Sequence, residues 1–173
     1  MNGIPIDWSR YLGKWYEQLR LPAPFEDGLI KTTADYELTP ASSLSSSSST
    51  SNTKTNAIRV TNRGWDPRTR SWRTSIGQAT IDLQAEGTLR VRFSPQQPPA
   101  PYIVLAVLEN KRQPTKPYQA AIVGSPSRRF LWLLTRRPDF ELTPQVRLRV
   151  LRLASRHGYS ESVLKTLVVV QQT

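Results

Sequence analysis

The chain has 173 residues, 38% of them hydrophobic, and it carries 24 Lys and Arg against 13 Asp and Glu, which gives a formal net charge of +11. This length and apolar content fit one compact domain over 1–173 rather than two. The sequence has no cysteine, which excludes disulfides and cysteine chemistry, and it has no apolar run near the ~20 residues of a membrane-spanning helix.

The positive charge is concentrated in the last third of the chain. Eight arginines lie between Arg128 and Arg156, and only Asp139 and Glu141 oppose them. Such an excess favours contact with anionic surfaces, including membranes and nucleic acid, without selecting one. The first twenty residues have no signal-peptide core and no lipoprotein-type cysteine signal, so the sequence predicts a cytoplasmic protein.

Apolar and polar residues alternate in runs that turn residues separate, which is typical of an antiparallel barrel or sandwich. Residues 42–55 are rich in Ser, Thr and Asn and predict a flexible insert. The predicted strands are eight: Lys14–Arg20, Thr32–Leu38, Ala57–Asn62, Ser71–Leu83, Thr88–Phe93, Tyr102–Leu108, Tyr118–Val123 and Phe130–Thr135.

The alternation within each strand predicts which side chains face inwards, because successive side chains of a strand point to opposite faces. In the fifth strand Leu89, Val91 and Phe93 alternate with arginines and are expected inside. In the long fourth strand Trp72 and Ile76 share one face and are expected inside. A bulge or bend at Gly77 is expected to exchange the inward and outward positions in the rest of the strand.

The eighth strand is apolar on both faces, so something must cover its outer side. The sequence predicts a helix from about Pro144 to His157, with Thr143 as its N-cap and Gly158 at its C-terminus. Its apolar stripe can pack on the strand. Its arginines, at helical spacing on another face, predict either a solvated surface or a contact with an anionic surface.

Two blocks of sequence carry a resemblance to a known family. The first is Tyr11-Leu12-Gly13-Lys14-Trp15-Tyr16-Glu17, and the second runs from Tyr118 through Phe130-Leu131-Trp132-Leu133-Leu134-Thr135-Arg136 to Pro138. Together they resemble the first strand and the last two strands of lipocalins of the bacterial, temperature-induced and apolipoprotein D-like branch. The resemblance implies an all-β fold: an eight-stranded up-and-down antiparallel β-barrel with one C-terminal α-helix packed outside.

The resemblance also implies roles for individual residues. Gly13, Trp15 and Arg136 form the structural motif at the closed end, where the arginine stacks on the indole. The predicted ligand-lining residues are Leu19, Leu21, Ala34, Tyr36, Ile58, Val60, Trp72, Ile76, Val91, Phe93, Tyr102, Val104, Phe130 and Trp132. Barrels of this size either hold one small ligand or are filled by side chains, and both alternatives remain open at this point.

No enzyme, metal or cofactor is expected, since the chain has one histidine, no Gly-x-Ser-x-Gly elbow and no glycine-rich phosphate loop. The resemblance implies binding and transport or storage of a fatty acid, a lysophospholipid or a related lipid, in membrane maintenance or stress. The alternative is a filled barrel that docks on anionic membrane or nucleic acid through its arginine-rich C-terminal face. Specific nucleic-acid binding is not expected, because the tryptophans are predicted inside rather than among the arginines.

Overall fold

A computed structural model describes residues 1–39 and 57–173, so the serine-rich insert predicted at 42–55 lies outside the described residues. Its strands are β1 (Gly13–Arg20), β2 (Ile30–Leu38), β3 (Ile58–Asp66), β4 (Ser71–Ile81), β5 (Thr88–Arg92), β6 (Ala100–Leu108), β7 (Ala120–Gly124), β8 (Leu131–Thr135) and β9 (Val168–Val169). Its helices are α1 (Trp8–Tyr11), α2 (Pro144–Arg156) and α3 (Glu161–Leu164), with a short 3-10 helix at Pro24–Glu26.

The sheet closes on itself because β1 pairs with both β2 and β8. Every neighbouring pair is antiparallel and consecutive in sequence from β1 to β8. The predicted eight-stranded up-and-down barrel is therefore confirmed. The short strand β9 was not predicted, and it pairs with Leu19 and Arg20 at the end of β1.

Two apolar clusters lie on either side of the sheet. The interior cluster contains Trp15, Tyr36, Val104 and Leu134, and the outer cluster lies between the sheet and α2. Strand β8 contributes to both, with Trp132 and Leu134 on the inside and Leu131 and Leu133 outside. Strand β8 is thus apolar on both faces because helix α2 covers its outer face, as predicted.

Helix α2 begins and ends where its sequence predicts. The Thr143 side chain accepts a hydrogen bond from the backbone N–H of Val146, Pro144 occupies the first turn, and Gly158 follows the helix with φ of +86°. Val150 and Ala154 are buried against the sheet. Among the described residues no helix is long and apolar enough to cross a membrane.

Antiparallel pairing sorts the connections into two ends. Helix α1 and the start of β1 mark the closed end. The opposite, open end carries four connections, which join β1 to β2, β3 to β4, β5 to β6 and β7 to β8. Tyr159, just beyond α2, donates a hydrogen bond from its hydroxyl to the carbonyl of Phe130 (2.6 Å), so the C-terminal end of α2 also lies at the open end.

Candidate functional site: the interior and open end of the barrel

The closed end is sealed by Trp15 and Arg136. The Trp15 side chain is fully buried, and its indole N–H donates to the carbonyl of Tyr11 (2.8 Å). The Arg136 guanidinium lies 3.8 Å from the centre of the indole and donates to five backbone carbonyls, including those of Lys14 and Leu12 at 2.8 Å. The predicted contact between the two side chains is confirmed. Since both partners are engaged with the protein itself, this end closes the barrel.

Aromatic rings extend from the closed end to the open end. The Tyr11 and Tyr102 hydroxyls are 2.6 Å apart, and Tyr36 packs against both rings. The Tyr102 ring stacks on Trp132, with 6.4 Å between centroids, and Trp132 stacks on Phe130 at 5.6 Å. Burial raises the pKa of the Tyr36 and Tyr102 hydroxyls well above the usual range, so both stay neutral. Their rings and hydroxyls give the interior apolar surface with few polar groups.

An ion cluster lies at the open end of this interior. The Arg20 guanidinium donates to a carboxylate oxygen of Glu17 (3.2 Å) and to the carbonyls of Glu26 (2.7 Å) and Leu29 (2.9 Å). The Trp132 indole N–H donates to the carboxylate of Glu26 (3.2 Å). These contacts tie the connection between β1 and β2 to the barrel wall.

Burial dominates the electrostatics of this cluster. Burial, and after it the nearby Glu26, raise the pKa of the Glu17 carboxyl to about 8, against the lowering effect of Arg20. Burial also raises the pKa of Glu26, partly offset by the hydrogen bond from Trp132. Two carboxyls beside one guanidinium in a poorly solvated place cannot both ionise readily. The cluster therefore favours a protonated carboxyl at Glu17.

One further polar atom faces the same interior. The side-chain oxygen of Asn62 is buried and has no hydrogen-bond partner among the described residues. Asn62 follows Val60 on the inward parity of β3 and pairs in register with Ala34. An unpaired buried acceptor is costly and can be satisfied by a donor brought in by a ligand.

Comparisons with known proteins agree with this architecture. The model of the lipocalin-like domain matches residues 6–169. The chain is similar to the outer membrane lipoprotein Blc of Escherichia coli K12, with 32% identity over 159 residues that cover 91% of this chain and 76% of that protein. The chain belongs to the lipocalin family.

Two further proteins show how far the likeness extends. Temperature-induced lipocalin-1 of Arabidopsis thaliana is 29% identical over 171 residues, which cover 95% of this chain and 78% of that protein. The crystal structure of the cockroach allergen Per a 4 superposes with a TM-score of 0.63 at 19% identity, covering all of this chain and 93% of that one. Lipocalins are binders of small hydrophobic ligands, so the interior of this barrel is the place to look for one.

The same relatives correct the predicted location. Several relatives bear the name outer membrane lipoprotein Blc, which places those proteins at the outer membrane and not in the cytoplasm. The cytoplasmic location expected from the sequence is therefore wrong. The prediction rested on the absence of a signal-peptide core and of a lipoprotein-type cysteine signal, and such an absence does not fix the compartment in which a chain works.

Most predicted lining residues of this lipocalin do face the interior. The members of the interior cluster or of its immediate surroundings are Ala34, Tyr36, Ile58, Val60, Val91, Tyr102, Val104 and Trp132. Phe130 continues the stack of Trp132 towards the open end. The Phe93 ring lies over the backbone of Gly77, where a Cβ atom would come within 2.8 Å of it. Gly77 thus makes room for an inward ring.

Leu19 and Leu21 do not face the interior, so the prediction that they line it is wrong. Both belong to the outer cluster beneath α2. A bulge between Glu17 and Leu19 shifts the pairing of β1 with β8, so the inward position after Glu17 is taken by Arg20. A bulge inserts one extra residue and exchanges the two faces of a strand.

Trp72 and Ile76 also lie outside the barrel, which corrects a second part of the predicted lining. Strand β4 pairs with β3 without interruption from Ile58 opposite Ala79 to Asp66 opposite Ser71, so the bulge expected at Gly77 is absent from this pair. Trp72 is 48% exposed and Ile76 is 52% exposed. Trp72 packs on Trp65 of the neighbouring strand and borders an external groove of about 310 Å³.

Sequence reasoning missed Arg20 and Glu26 as members of the site. Arg20 was expected on the outer face by simple alternation, and Glu26 lies in a connection without periodicity. A signal was present in the sequence, since Glu17 has the same parity as Trp15 and an inward carboxylate needs a partner. Neither the bulge nor the fold of the connection could be located from that signal.

Proposed function

We propose that this lipocalin binds a single-chain amphipathic lipid, a fatty acid or a lysophospholipid, and carries or stores it in membrane maintenance or stress. One observation carries the proposal: at the open end an inward apolar wall meets a buried ion cluster. Clefts that bind amphipathic molecules combine an apolar body with a few polar anchors in this way. Membership of a family that binds small hydrophobic ligands supports the same interior as the site.

The wall suited to an acyl chain is formed by inward side chains that keep partial exposure. Tyr102, Trp132 and Val91 are half-buried, and Phe93 is 43% exposed although it shares their inward parity. An acyl chain that covers these surfaces gains about 0.8 kcal/mol for each CH₂ group that is removed from water. Deeper in the barrel, Tyr36 and Trp15 are buried by neighbouring rings. This arrangement suits a lipid with one acyl chain better than a lipid with two.

The ion cluster suits an acidic head group. Arg20 is a buried cation, and a carboxylate or phosphate can compete with Glu17 for it. Because the pKa of Glu17 is raised, Glu17 can accept a proton as it gives up its partner, which lowers the cost of the exchange. We therefore expect tighter binding of an anionic lipid at pH 6 than at pH 9.

The place of action that fits this function is a membrane. Relatives named as outer membrane lipoproteins support a membrane-associated or envelope role. A carrier located there has its ligand at hand, because fatty acids and lysophospholipids are released from bilayers.

The proposal is tested by mass spectrometry of lipids extracted from protein purified without delipidation, together with titration of palmitate and of palmitoyl-lysophospholipid. Trp132→Ala removes apolar wall and a hydrogen bond to Glu26, and we expect at least about tenfold weaker binding. Trp72→Ala is the matched control, because the same side chain is removed from the outer face. Circular dichroism verifies that both variants remain folded.

Two results would count against the proposal. If neither lipid binds and none co-purifies, the barrel is a filled scaffold and its basic surfaces become the functional part. If Trp132→Ala and Trp72→Ala weaken binding equally, the lipid does not occupy the interior at the open end.

A further inference from the structure

The open end differs from the rest of the surface in combining unpaired arginines with exposed phenylalanines. The connection between β1 and β2 carries Phe25, which is 56% exposed, and the end of β5 carries Phe93. These two lie on opposite sides of the opening, because β1 and β5 are four strands apart around the barrel. Phe25 packs on Phe130 with 5.6 Å between ring centroids, and the inward Phe93 ring lies over Gly77, yet both rings keep exposed surface at the opening.

Arginines lie on two of the four connections and near the open ends of strands β4 and β5. The rim arginines, as we name them, are Arg68, Arg70, Arg73, Arg92, Arg128 and Arg129. The acidic residues of the same end are largely committed. Asp66 is buried and pairs with Arg68 (3.1 Å) and Arg73 (3.8 Å), exposed Asp27 also pairs with Arg68 (3.3 Å), and Glu26 belongs to the ion cluster. The rim therefore has a net positive charge towards solvent.

Four rim arginines have no acidic partner among the described residues, and one of them, Arg128, donates to the backbone carbonyls of His157 and Pro126. Arg70, Arg92 and Arg129 are exposed and take part in none of the ion pairs found there. Arg70 occupies the tip of the hairpin between β3 and β4 with φ of +52°. Arg129 borders a surface hollow of about 540 Å³ that Ser127 and Ser160 also line. Cationic groups of this kind, on two connections and a strand at one end, can contact a flat surface together.

We propose that the open end of the barrel docks on an anionic lipid bilayer, with the rim arginines on the lipid head groups and the exposed ring of Phe25 inserted between them. Charge complementarity selects an anionic surface, and the exposed ring selects one with an apolar layer beneath its charges. A nucleic acid would satisfy the charges but offers no apolar layer at its phosphates. Docking in this pose directs the mouth of the barrel at the source of its ligand, so the inference rests on the proposed function.

The experiment measures co-sedimentation of the full chain with vesicles of phosphatidylcholine alone and of phosphatidylcholine with 30% phosphatidylglycerol, at 50 and 300 mM NaCl. We expect binding to the anionic vesicles that weakens at high salt, since the Debye length shortens. The triple variant Arg70→Gln, Arg92→Gln, Arg129→Gln should bind them at least about tenfold more weakly. Phe25→Ser should weaken binding at both salt concentrations, because it removes insertion rather than charge.

The matched control removes the same charge from helix α2, as Arg147→Gln, Arg149→Gln, Arg152→Gln. These residues are exposed on the outer helix, and none is ion-paired among the described residues. We expect this control to bind the vesicles nearly as well as the native chain. If the control loses more binding than the rim triple variant, the contact lies on the helix and the proposal is overturned. The proposal is also overturned if the native chain does not bind the anionic vesicles, or if it binds neutral vesicles equally well.

Two further measurements separate the possible failures. Palmitate titration without vesicles should give the same affinity for the rim triple variant as for the native chain, since its arginines lie outside the interior. If vesicle binding fails while palmitate binds, docking is wrong and lipid binding stands. Competition by a DNA duplex is a final check, made with protein bound to anionic vesicles. If DNA at the same phosphate concentration displaces this protein more effectively than added anionic vesicles do, a bilayer partner is contradicted.

Discussion

Arg20 and Glu17 form a buried hydrogen-bonded pair inside the barrel, with 3.2 Å between Nη1 and Oε1, although they are three residues apart in one strand. In a regular strand such residues point to opposite faces. The bulge between Glu17 and Leu19 brings both to the interior. A local irregularity of the first strand therefore creates the polar part of an otherwise apolar barrel, next to Trp132 at its open end.

This pair makes stability depend on pH. The Glu17 pKa is raised from 4.5 to about 8 in the folded protein, so the folded state binds the proton more tightly than the unfolded state. Below about pH 4.5 the carboxyl is protonated in both states and no penalty arises. Between pH 4.5 and 8 the unfolded state ionises more easily, so the free energy of unfolding falls as pH rises, by at most about 1.4 kcal/mol per pH unit.

Glu17→Gln should flatten this dependence and stabilise the protein at pH 9 relative to the native chain. Urea unfolding at several pH values between 5 and 9 measures the effect. Glu37→Gln is the control, since Glu37 is an exposed acidic residue of β2. A pH profile that Glu17→Gln leaves unchanged would show that Glu17 stays ionised and paired when the protein folds.

Strand alternation predicted the interior well where polar and apolar residues strictly alternate. Leu89 and Val91 of β5 and Ile58 and Val60 of β3 face inwards as expected. The contact of Trp15 with Arg136, more than a hundred residues apart, was also predicted, because a family motif links the two positions. Regular geometry and a shared motif are both visible in a sequence.

Predictions failed where an apolar residue was equated with an inward one. Trp72 and Ile76 lie on the outer face of β4, where Trp65 and the guanidinium of Arg63, 4.8 Å from the Trp72 ring, supply packing partners. Isolated exposed hydrophobic residues are common, so hydrophobicity alone does not fix the face of a strand. The pairing register fixes it, and register depends on neighbouring strands that a single segment does not reveal.

Arg136→Met should strongly destabilise the barrel. The substitution removes the contact with Trp15 and the hydrogen bonds that five backbone carbonyls at the closed end accept from the guanidinium, at a cost of about 3–5 kcal/mol. Arg137→Met is the neighbouring control, because Arg137 is exposed and pairs only with exposed Asp139, so its loss should cost less than about 1 kcal/mol. Thermal and urea unfolding measure both, and similar losses would contradict a special role for Arg136.

Gly87→Ala should destabilise the protein more than Gly28→Ala, although both glycines have positive φ, +61° and +71°. A Cβ at Gly87 would meet the backbone carbonyl of Ile4 at 2.3 Å, so the N-terminal segment must move. At Gly28 the nearest atoms belong to the flexible side chain of Arg68, which can withdraw. The positive φ costs each variant about 1–3 kcal/mol of stability, and only Gly87→Ala also has to displace the N-terminal segment at Ile4. Equal unfolding free energies would mean that the N-terminal segment is not held at Gly87.

Trp132→Phe should loosen the connection between β1 and β2 without disturbing the aromatic stack. The variant keeps a ring for Phe130 and Tyr102 but loses the hydrogen bond from the indole N–H to the Glu26 carboxylate. A hydrogen bond to a carboxylate of this burial is worth about 1 kcal/mol or more, so we expect amide exchange in residues 22–29 to accelerate about fivefold or more. Trp72→Phe, on the outer face, should leave that exchange unchanged. Unaltered exchange in Trp132→Phe would mean that the contacts of Arg20 with the carbonyls of Glu26 and Leu29 hold the connection by themselves.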